Sequence, residues 1–315
     1  MKVLFIDRVH PILEERLIAD GHLCTHNYTC DYNELKQLIS DQEGLVLRSR
    51  LKVNKELLRE AKSLKFIARS GAGLENIDLE TCAELGIEVF NSPEGNQDAV
   101  GEHALGMLLM MLNHLGRCNR EVRDGLWRRE ANRGKELNAM CVGLIGFGHM
   151  GQRFAQKLSG IGCEILAYDK YASKPSGFDD VQSVSLETLQ QRADVISFHT
   201  PQTAETKHYF NRDFLEKCEK NIYLINTARG SAVDTSALLE GLKSGKVLGA
   251  CLDVLEYEPS SFEGLDTKAL PQDFKELCAF EQVIFSPHVA GWTEESLIKL
   301  SSFLADKIQH RFPAK

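Results

Sequence analysis

An α/β fold built on parallel sheets is what this sequence predicts, and three observations carry the prediction. Strand-like and helix-like segments alternate along the whole chain, the pattern of strands joined by helical crossovers. Within it, Cys141 to Asp169 reads as an apolar run (Cys141-Val142-Gly143-Leu144-Ile145), a glycine turn (Gly146-Phe147-Gly148-His149-Met150-Gly151), a helical segment to Gly160, a second apolar run (Glu164-Ile165-Leu166-Ala167-Tyr168) and an acid, Asp169. The third is length: 315 residues exceed what one compact core usually holds, and a helical pattern follows the last strand. Together these predict a Rossmann-type doubly wound parallel sheet inserted in a smaller, discontinuous, flavodoxin-like α/β domain. The outer domain takes 1–94 plus 291–315 and the inserted domain 95–290.

In chain order, strands are predicted over 3–6, 45–47, 66–69 and 87–90, with helices such as 11–20 and 55–61 between them. Asn91-Ser92-Pro93-Glu94-Gly95 is turn-rich and marks the first boundary. A long helix is predicted over 97–123. Its stretch Met107-Leu108-Leu109-Met110-Met111-Leu112 is apolar all round, so it is buried either within a domain or between the subunits of a homodimer. The glycine turn follows. Gly146 permits the tight turn, Gly148 lets the backbone approach a pyrophosphate, and Gly151 lets helix and strand pack closely. The helix N-terminus presents N–H groups and the positive end of its dipole to phosphates. Asp169 stands 18 positions after Gly151 and closes the second strand, where a carboxylate accepts from both ribose hydroxyls and repels a 2′-phosphate. The cofactor read from it is NAD rather than NADP, a preference that Lys170 weakens slightly. Further strands are predicted over 195–198, 223–226, 249–252 and 283–285, and a last helix, 293–310, returns to pack on the first domain.

Composition narrows the class. Hydrophobic residues make up 43% of the chain, enough for full cores. The net charge of −8 argues against nucleic acid or an anionic membrane as the main partner. No apolar run is long enough to span a bilayer, and the chain opens on a strand rather than a signal-peptide pattern. Nine scattered cysteines, odd in number and without a C-x-x-C, read as reduced thiols of a cytoplasmic protein and not as metal ligands.

In an open parallel sheet, ligands sit beyond the carboxyl ends of the strands. After 195–198 come His199-Thr200-Pro201; after 223–226 come Thr227-Ala228-Arg229-Gly230. After 249–252 come Asp253 and, five residues later, Glu258; after 283–285 come Ser286-Pro287-His288. An arginine, a carboxylate and a histidine beside a nicotinamide are the parts for hydride exchange with a carbonyl. The arginine binds a carboxylate in fork geometry and polarises the ketone oxygen. The histidine supplies or takes the proton, and Glu258 favours its protonated form and orients the ring. Taken singly, Arg229 also reads as a helix cap, His288 as a turn residue and Glu258 as a solvated loop acid.

At these residues the chain resembles the D-isomer-specific 2-hydroxyacid dehydrogenase family, in its phosphoglycerate dehydrogenase-like branch. Leu224-Ile225-Asn226-Thr227-Ala228-Arg229-Gly230 is similar to the family's arginine motif, with Ser231 in place of a common glycine. Asp253-Val254-Leu255-Glu256-Tyr257-Glu258-Pro259 is similar to the glutamate motif, and Ser286-Pro287-His288-Val289-Ala290-Gly291 to the histidine motif. His199-Thr200-Pro201 with Thr206 is similar to the adenosine-side segment. The resemblance implies an NAD-dependent enzyme acting on a small 2-hydroxy or 2-oxo acid, with Arg229, His288 and Glu258 catalytic. It implies cofactor contacts from Gly146, Gly148, His149, Met150, Gly151, Asp169, His199, Thr200, Pro201, Thr206, Thr227, Ala228, Asp253 (on the nicotinamide carboxamide) and Gly291. In the outer domain, Arg69-Ser70-Gly71-Ala72-Gly73-Leu74-Glu75-Asn76-Ile77-Asp78 resembles the loop whose N–H groups hold the substrate carboxylate, so Ser70, Gly71, Ala72 and Gly73 are expected on substrate, with Arg48.

The chain departs from the family pattern at Arg50 and Leu51, where small residues are usual, at Trp292, and in a long acidic connection after Glu258 that includes Glu263, Asp266 and Asp273. That connection either walls the active site or decorates the surface, and Trp292 is expected to shape the substrate pocket. No further C-terminal regulatory domain is expected. Arg128, Arg129, Arg133 and Lys135, beside Trp127, lie in a segment that resembles one giving a phosphate contact across the dimer in phosphoglycerate dehydrogenases; they read equally as a solvated basic loop. The leading substrate is therefore 3-phosphoglycerate with 3-phosphohydroxypyruvate, and hydroxypyruvate or glyoxylate is the alternative. Formate chemistry is not expected, because that branch pairs its histidine with glutamine. An NAD-sensing corepressor-like binding protein is the alternative of a different class.

Overall fold

Short runs of buried apolar residues build two all-parallel sheets, each in its own compact unit. The computed structural model describes residues 1–171, 177–258 and 270–313. Among these, one unit takes Met1–Gln97 and 292–313, the other Asp98–Glu258 and 270–291.

The first unit has β1 (Lys2–Phe5), β2 (Leu23–His26), β3 (Gly44–Leu47), β4 (Phe66–Arg69) and β5 (Glu88–Phe90), in the order β2-β1-β3-β4-β5. Side chains alternate across it, as a strand's period of two requires. Leu4, Ile6, Leu45, Leu47 and Ile67 pack on one face with Leu35, Leu57 and Leu58. Val3, Phe5, Val46, Phe66 and Ala68 pack on the other with Leu13 and Leu17 and with Leu304, Ala305 and Ile308 of the last helix. That helix, Glu294–Arg311, starts at a capping box in which the Thr293 hydroxyl accepts from Ser296 N and the Ser296 hydroxyl from Thr293 N. Its return to the first strands agrees with the sequence.

The second unit has β6 (Cys141–Ile145), β7 (Glu164–Tyr168), β8 (Val181–Ser183), β9 (Val195–Phe198), β10 (Ile222–Asn226), β11 (Val247–Leu252) and β12 (Val283–Phe285). The order β12-β11-β10-β9-β6-β7-β8 reverses direction at β6, and all pairs are parallel. Every loop that leaves a strand's carboxyl end therefore emerges along one edge. Both faces are covered: Val142, Leu144 and Ile165 pack with Met107, Leu108 and Phe154, and Ile196, Phe198 and Leu224 with Phe214, Leu238 and Leu242. Leu109 and Met110 are only half-buried, so the apolar stretch is not enclosed all round.

Three local expectations differ from the structure. The helix expected over 97–123 is two helices, Pro93–Leu112 and Leu115–Arg123, broken where His114 takes a left-handed φ of 53°. The turn expected at 91–95 is shorter, because Pro93 opens the first of those helices, a position where its missing N–H costs nothing. Strands β2 and β8 are additional to those expected; both lie at sheet edges. Pro259, Glu263 and Asp266 of the acidic connection lie outside the described residues; Gln272–Leu277, which contains Asp273, is a helix. Among the described residues no helix is long and apolar enough to cross a membrane, and no cluster of side chains is suited to a metal ion. All nine cysteines are free.

Candidate active site

The glycine turn after β6 is shaped by contacts that leave no room for a side chain at Gly146 or Gly151. Gly146 has φ +91° and donates its N–H to Tyr168 O at 2.9 Å. A Cβ on it would lie 2.8 Å from His199 O, and a Cβ on Gly151 would lie 2.3 Å from Gly146 O. Gly148 is the N-cap of helix His149–Ser159. A Cβ there would meet nothing within 4 Å, so this backbone is open to a ligand. His149 is exposed and Met150 half-buried at the same helix end. Asp169, beyond β7, accepts from Phe147 N at 2.8 Å and from Tyr171 N at 2.9 Å, which turns its carboxylate toward the glycine turn. Lys170 is paired with Glu205. Asp169→Ala is expected to shift the kcat/KM ratio of NADH to NADPH toward NADPH; an unchanged ratio would remove Asp169 from the ribose.

Beyond β9 and β10 lie buried polar atoms that need a partner. The His199 Nε2 bonds Ser197 Oγ at 2.9 Å, and burial pushes this imidazole down to about 3, which favours its neutral form. Its Nδ1, Thr200 Oγ1 and Thr227 Oγ1 are buried without a hydrogen bond among the described residues. Leaving such a group unsatisfied costs about 1–3 kcal/mol; His199 and Thr200 follow β9, the strand next to β6, and Thr227 follows β10, one strand further along the same edge. These groups fit a dinucleotide. Thr206 Oγ1 bonds Pro201 O at 2.7 Å and shapes the following loop.

The arginine, glutamate and histidine come from adjacent strands. Asn226, at the end of β10, holds the next turn by accepting from Ala228 N at 3.1 Å and donating to Arg229 O at 2.9 Å. Arg229 Nη1 donates to Ala228 O at 2.7 Å. Gly230 is pressed against the loop after β11: a Cβ on it would lie 1.9 Å from Leu255 O. In that loop the Glu258 carboxylate accepts from Leu255 N through one oxygen, and its other oxygen is 2.6 Å from His288 Nδ1. Both side chains are partly shielded, 27% exposed for His288 and 16% for Glu258. The backbone thus ties the Arg229 turn to the Glu258 turn, and the Glu258 carboxylate ties that turn to His288. Asp253 is 1% exposed and accepts from Ser286 Oγ, Val289 N and Ala290 N.

The first unit gathers its expected substrate residues at the ends of β3 and β4. Arg48 N donates to Asp7 Oδ2 at 2.6 Å. Asn76 Nδ2 bonds the carbonyls of Arg48 and Leu51, and Arg69 Nε reaches Arg48 O at 3.3 Å. Gly71 has φ +157°, and a Cβ there would lie 2.1 Å from Arg69 Nη1, so a side chain would displace the end of that guanidinium. Ser70 is buried, and Ala72 O accepts from Asn91 Nδ2 at 2.6 Å. Arg50 holds the fold together here, since its guanidinium bonds Asp7, Cys30 O and Ile6 O. Trp292 stacks under Arg48, with Cζ 4.0 Å from the ring centre. Neither Arg50–Asp7 nor Arg48–Trp292 has a signal in local spacing, because the members of each pair are far apart in the chain. Three of the four basic residues near Trp127 have partners: Arg128 with Glu121, Arg133 with Glu130, and Lys135 over the Tyr223 ring.

Comparison with known proteins places this geometry. Residues 105–290 match the model of the D-isomer specific 2-hydroxyacid dehydrogenase, NAD binding domain. Hydroxypyruvate reductase of Thermotoga maritima is 37% identical over 94% of this chain and 90% of its own length. D-3-phosphoglycerate dehydrogenase of Archaeoglobus fulgidus is 34% identical over 87% of this chain and 50% of its own; the chain spans about half the length of such relatives. The crystal structure of D-lactate dehydrogenase from Aquifex aeolicus, complexed with NAD and lactic acid, superposes with a TM-score of 0.84 at 28% identity, covering 99% of this chain and 95% of that one. A parallel sheet with a glycine turn open at its helix end, and an arginine, a glutamate and a histidine on its strand ends, thus stands in a chain matched along nearly its whole length by these relatives, and the protein belongs to the D-isomer-specific 2-hydroxyacid dehydrogenase family as an NAD-dependent oxidoreductase.

Proposed function

We propose that the protein interconverts a D-2-hydroxy acid and its 2-oxo acid, with Arg229, Glu258 and His288 catalytic. The observation that carries this reading is the 2.6 Å contact of His288 Nδ1 with Glu258. It fixes the ring so that Nε2 is the atom that exchanges a proton with the substrate oxygen. Bound NAD supplies the hydride acceptor or donor. In reduction, His288 gives its Nε2 proton to the ketone oxygen, and Glu258 steadies the ring through Nδ1. Arg229 binds the substrate carboxylate and polarises the ketone. The cofactor would be held by Gly146, Gly148, His149, Met150 and Gly151, by Asp169, by His199, Thr200, Pro201 and Thr206, and by Thr227, Ala228, Asp253 and Gly291. Arg48, Ser70, Gly71, Ala72 and Gly73 of the first unit are proposed as substrate-binding.

The leading substrate in this reading is 3-phosphoglycerate with 3-phosphohydroxypyruvate. It is supported by Arg48, which follows β3 and is held on Trp292. Hydroxypyruvate is the second reading, supported by the near full-length match to a hydroxypyruvate reductase. Steady-state rates with NADH and 3-phosphohydroxypyruvate, hydroxypyruvate, glyoxylate and pyruvate decide between them. The highest kcat/KM is expected with 3-phosphohydroxypyruvate; no rate with it eliminates the leading choice, and no rate with any of the four eliminates the reaction.

We propose also that two copies associate. Leu115, Val122, Leu126 and Trp127 are exposed large hydrophobic residues within one short stretch, Trp127 at 79%. Sedimentation at twice 35.3 kDa is expected; a single-chain mass at micromolar concentration contradicts it.

A further inference from the structure

His288 sits in a left-handed turn, φ 55°, a conformation a non-glycine residue adopts only when its surroundings hold it there. Asp253 holds it there. Its carbonyl accepts from His288 N at 2.8 Å, and its two carboxylate oxygens accept from Val289 N and Ala290 N, each at 2.9 Å. Three consecutive N–H groups are thus tied to one buried residue.

Asp253 is in turn held from helix Pro93–Leu112. Ser286 Oγ donates to Asp253 Oδ1 at 2.6 Å. A serine has one proton to give, so toward His103 Nε2, 2.9 Å away, the same oxygen accepts, and His103 carries its proton on Nε2. His103 Nε2 is itself 3.6 Å from Asp253 Oδ1. Met107, one turn further along the helix, places its sulfur 3.7 Å from Ser286 Oγ.

We propose that His103 is a positioning residue for His288, acting through Ser286 and Asp253. The inference rests on the reading of His288 as the acid/base. His103 fixes the Ser286 hydroxyl, the hydroxyl fixes the orientation of the Asp253 carboxylate, and the carboxylate fixes the turn that aims the imidazole. Small errors of aim at a reacting atom cost rate rather than cofactor binding.

The test uses the full chain with NADH and the best 2-oxo acid of the panel above. Wild-type turnover is measured first; an inert wild type refutes the reading of the site, whereas an active wild type leaves only the inference under test. His103→Leu, which removes the donor, is expected to lower kcat about tenfold, the usual worth of one buried hydrogen bond, with the NADH Kd from fluorescence titration within about twofold. His103→Gln, whose amide N–H stands near the place of Nε2, is expected to restore most of the rate. The double variant His103→Leu/Ser286→Ala is expected to be no slower than the slower of the two single variants, because the two act in one chain. Wild-type kcat in His103→Leu, failure of His103→Gln to recover, or losses that multiply in the double variant would each overturn the proposal. If His103→Leu does not fold, Ser286→Ala, a single-atom change, carries the test: a slower kcat at unchanged NADH Kd supports the chain, and a wild-type kcat ends it.

Discussion

Replacing His288 with alanine is expected to lower kcat by about 10²–10⁴ and to leave NADH binding intact. That is the usual worth of a positioned acid/base group. The expectation has two structural grounds. The imidazole is held by Glu258 on one nitrogen and by three backbone bonds to Asp253 beneath it, so its aim is fixed before substrate arrives. The groups proposed for the phosphates and ribose lie on other strand ends, after β6 and β7, and the substitution does not touch them. Stopped-flow oxidation of NADH with titration of NADH fluorescence separates the two effects. An alanine variant with normal turnover would show that the proton comes from elsewhere. His199, which follows β9 on the same edge, is buried, and burial disfavours its charged form.

Replacing Arg229 with alanine is expected to cost about 10²–10³ or more in kcat/KM, with both constants affected. In the proposed reaction the guanidinium would act twice. Its hold on the carboxylate operates in the ground state and is read in KM, while its pull on the ketone oxygen grows as charge develops and is read in kcat. Lysine should not rescue the loss, since one ammonium cannot present two parallel donors. Arg229 is also well placed to be tested, because the turn that carries it is held by Asn226 through backbone atoms. Removing its side chain takes away the bond from Nη1 to Ala228 O and leaves the two Asn226 bonds in place. A variant with near-normal kcat/KM would take Arg229 out of the site.

How much of this is legible in the sequence depends on burial. Strands β6, β7 and β9 form at the residues read for them, because a strand covered on both faces is written as a largely apolar run. The two strands that escape such a reading, Leu23–His26 and Val181–Ser183, are edges with exposed residues, and they lack that run. The helix break at His114 carries no proline or glycine at the kink, so the helical pattern runs through it. Among the candidate functional residues, those on strand ends can be proposed from the sequence because parallel topology sends them all to one edge. The supports are not: His103 meets Ser286 across 183 positions, and Arg50 meets Asp7 across 43. Such contacts are set by packing, which no local spacing encodes. Arg50 shows the consequence, since its departure from the family pattern is an internal clip on Asp7 and the carbonyl of Cys30.

The assignment of Arg229 and His288 to the reacting atoms is open to direct observation in a crystal structure of the protein with NADH and oxamate, a 2-oxo acid amide that cannot accept hydride. The Arg229 guanidinium is expected within hydrogen-bond distance of the oxamate carboxylate, with His288 Nε2 on the neighbouring carbonyl oxygen. Oxamate bound beside the nicotinamide but touching neither side chain would contradict the assignment.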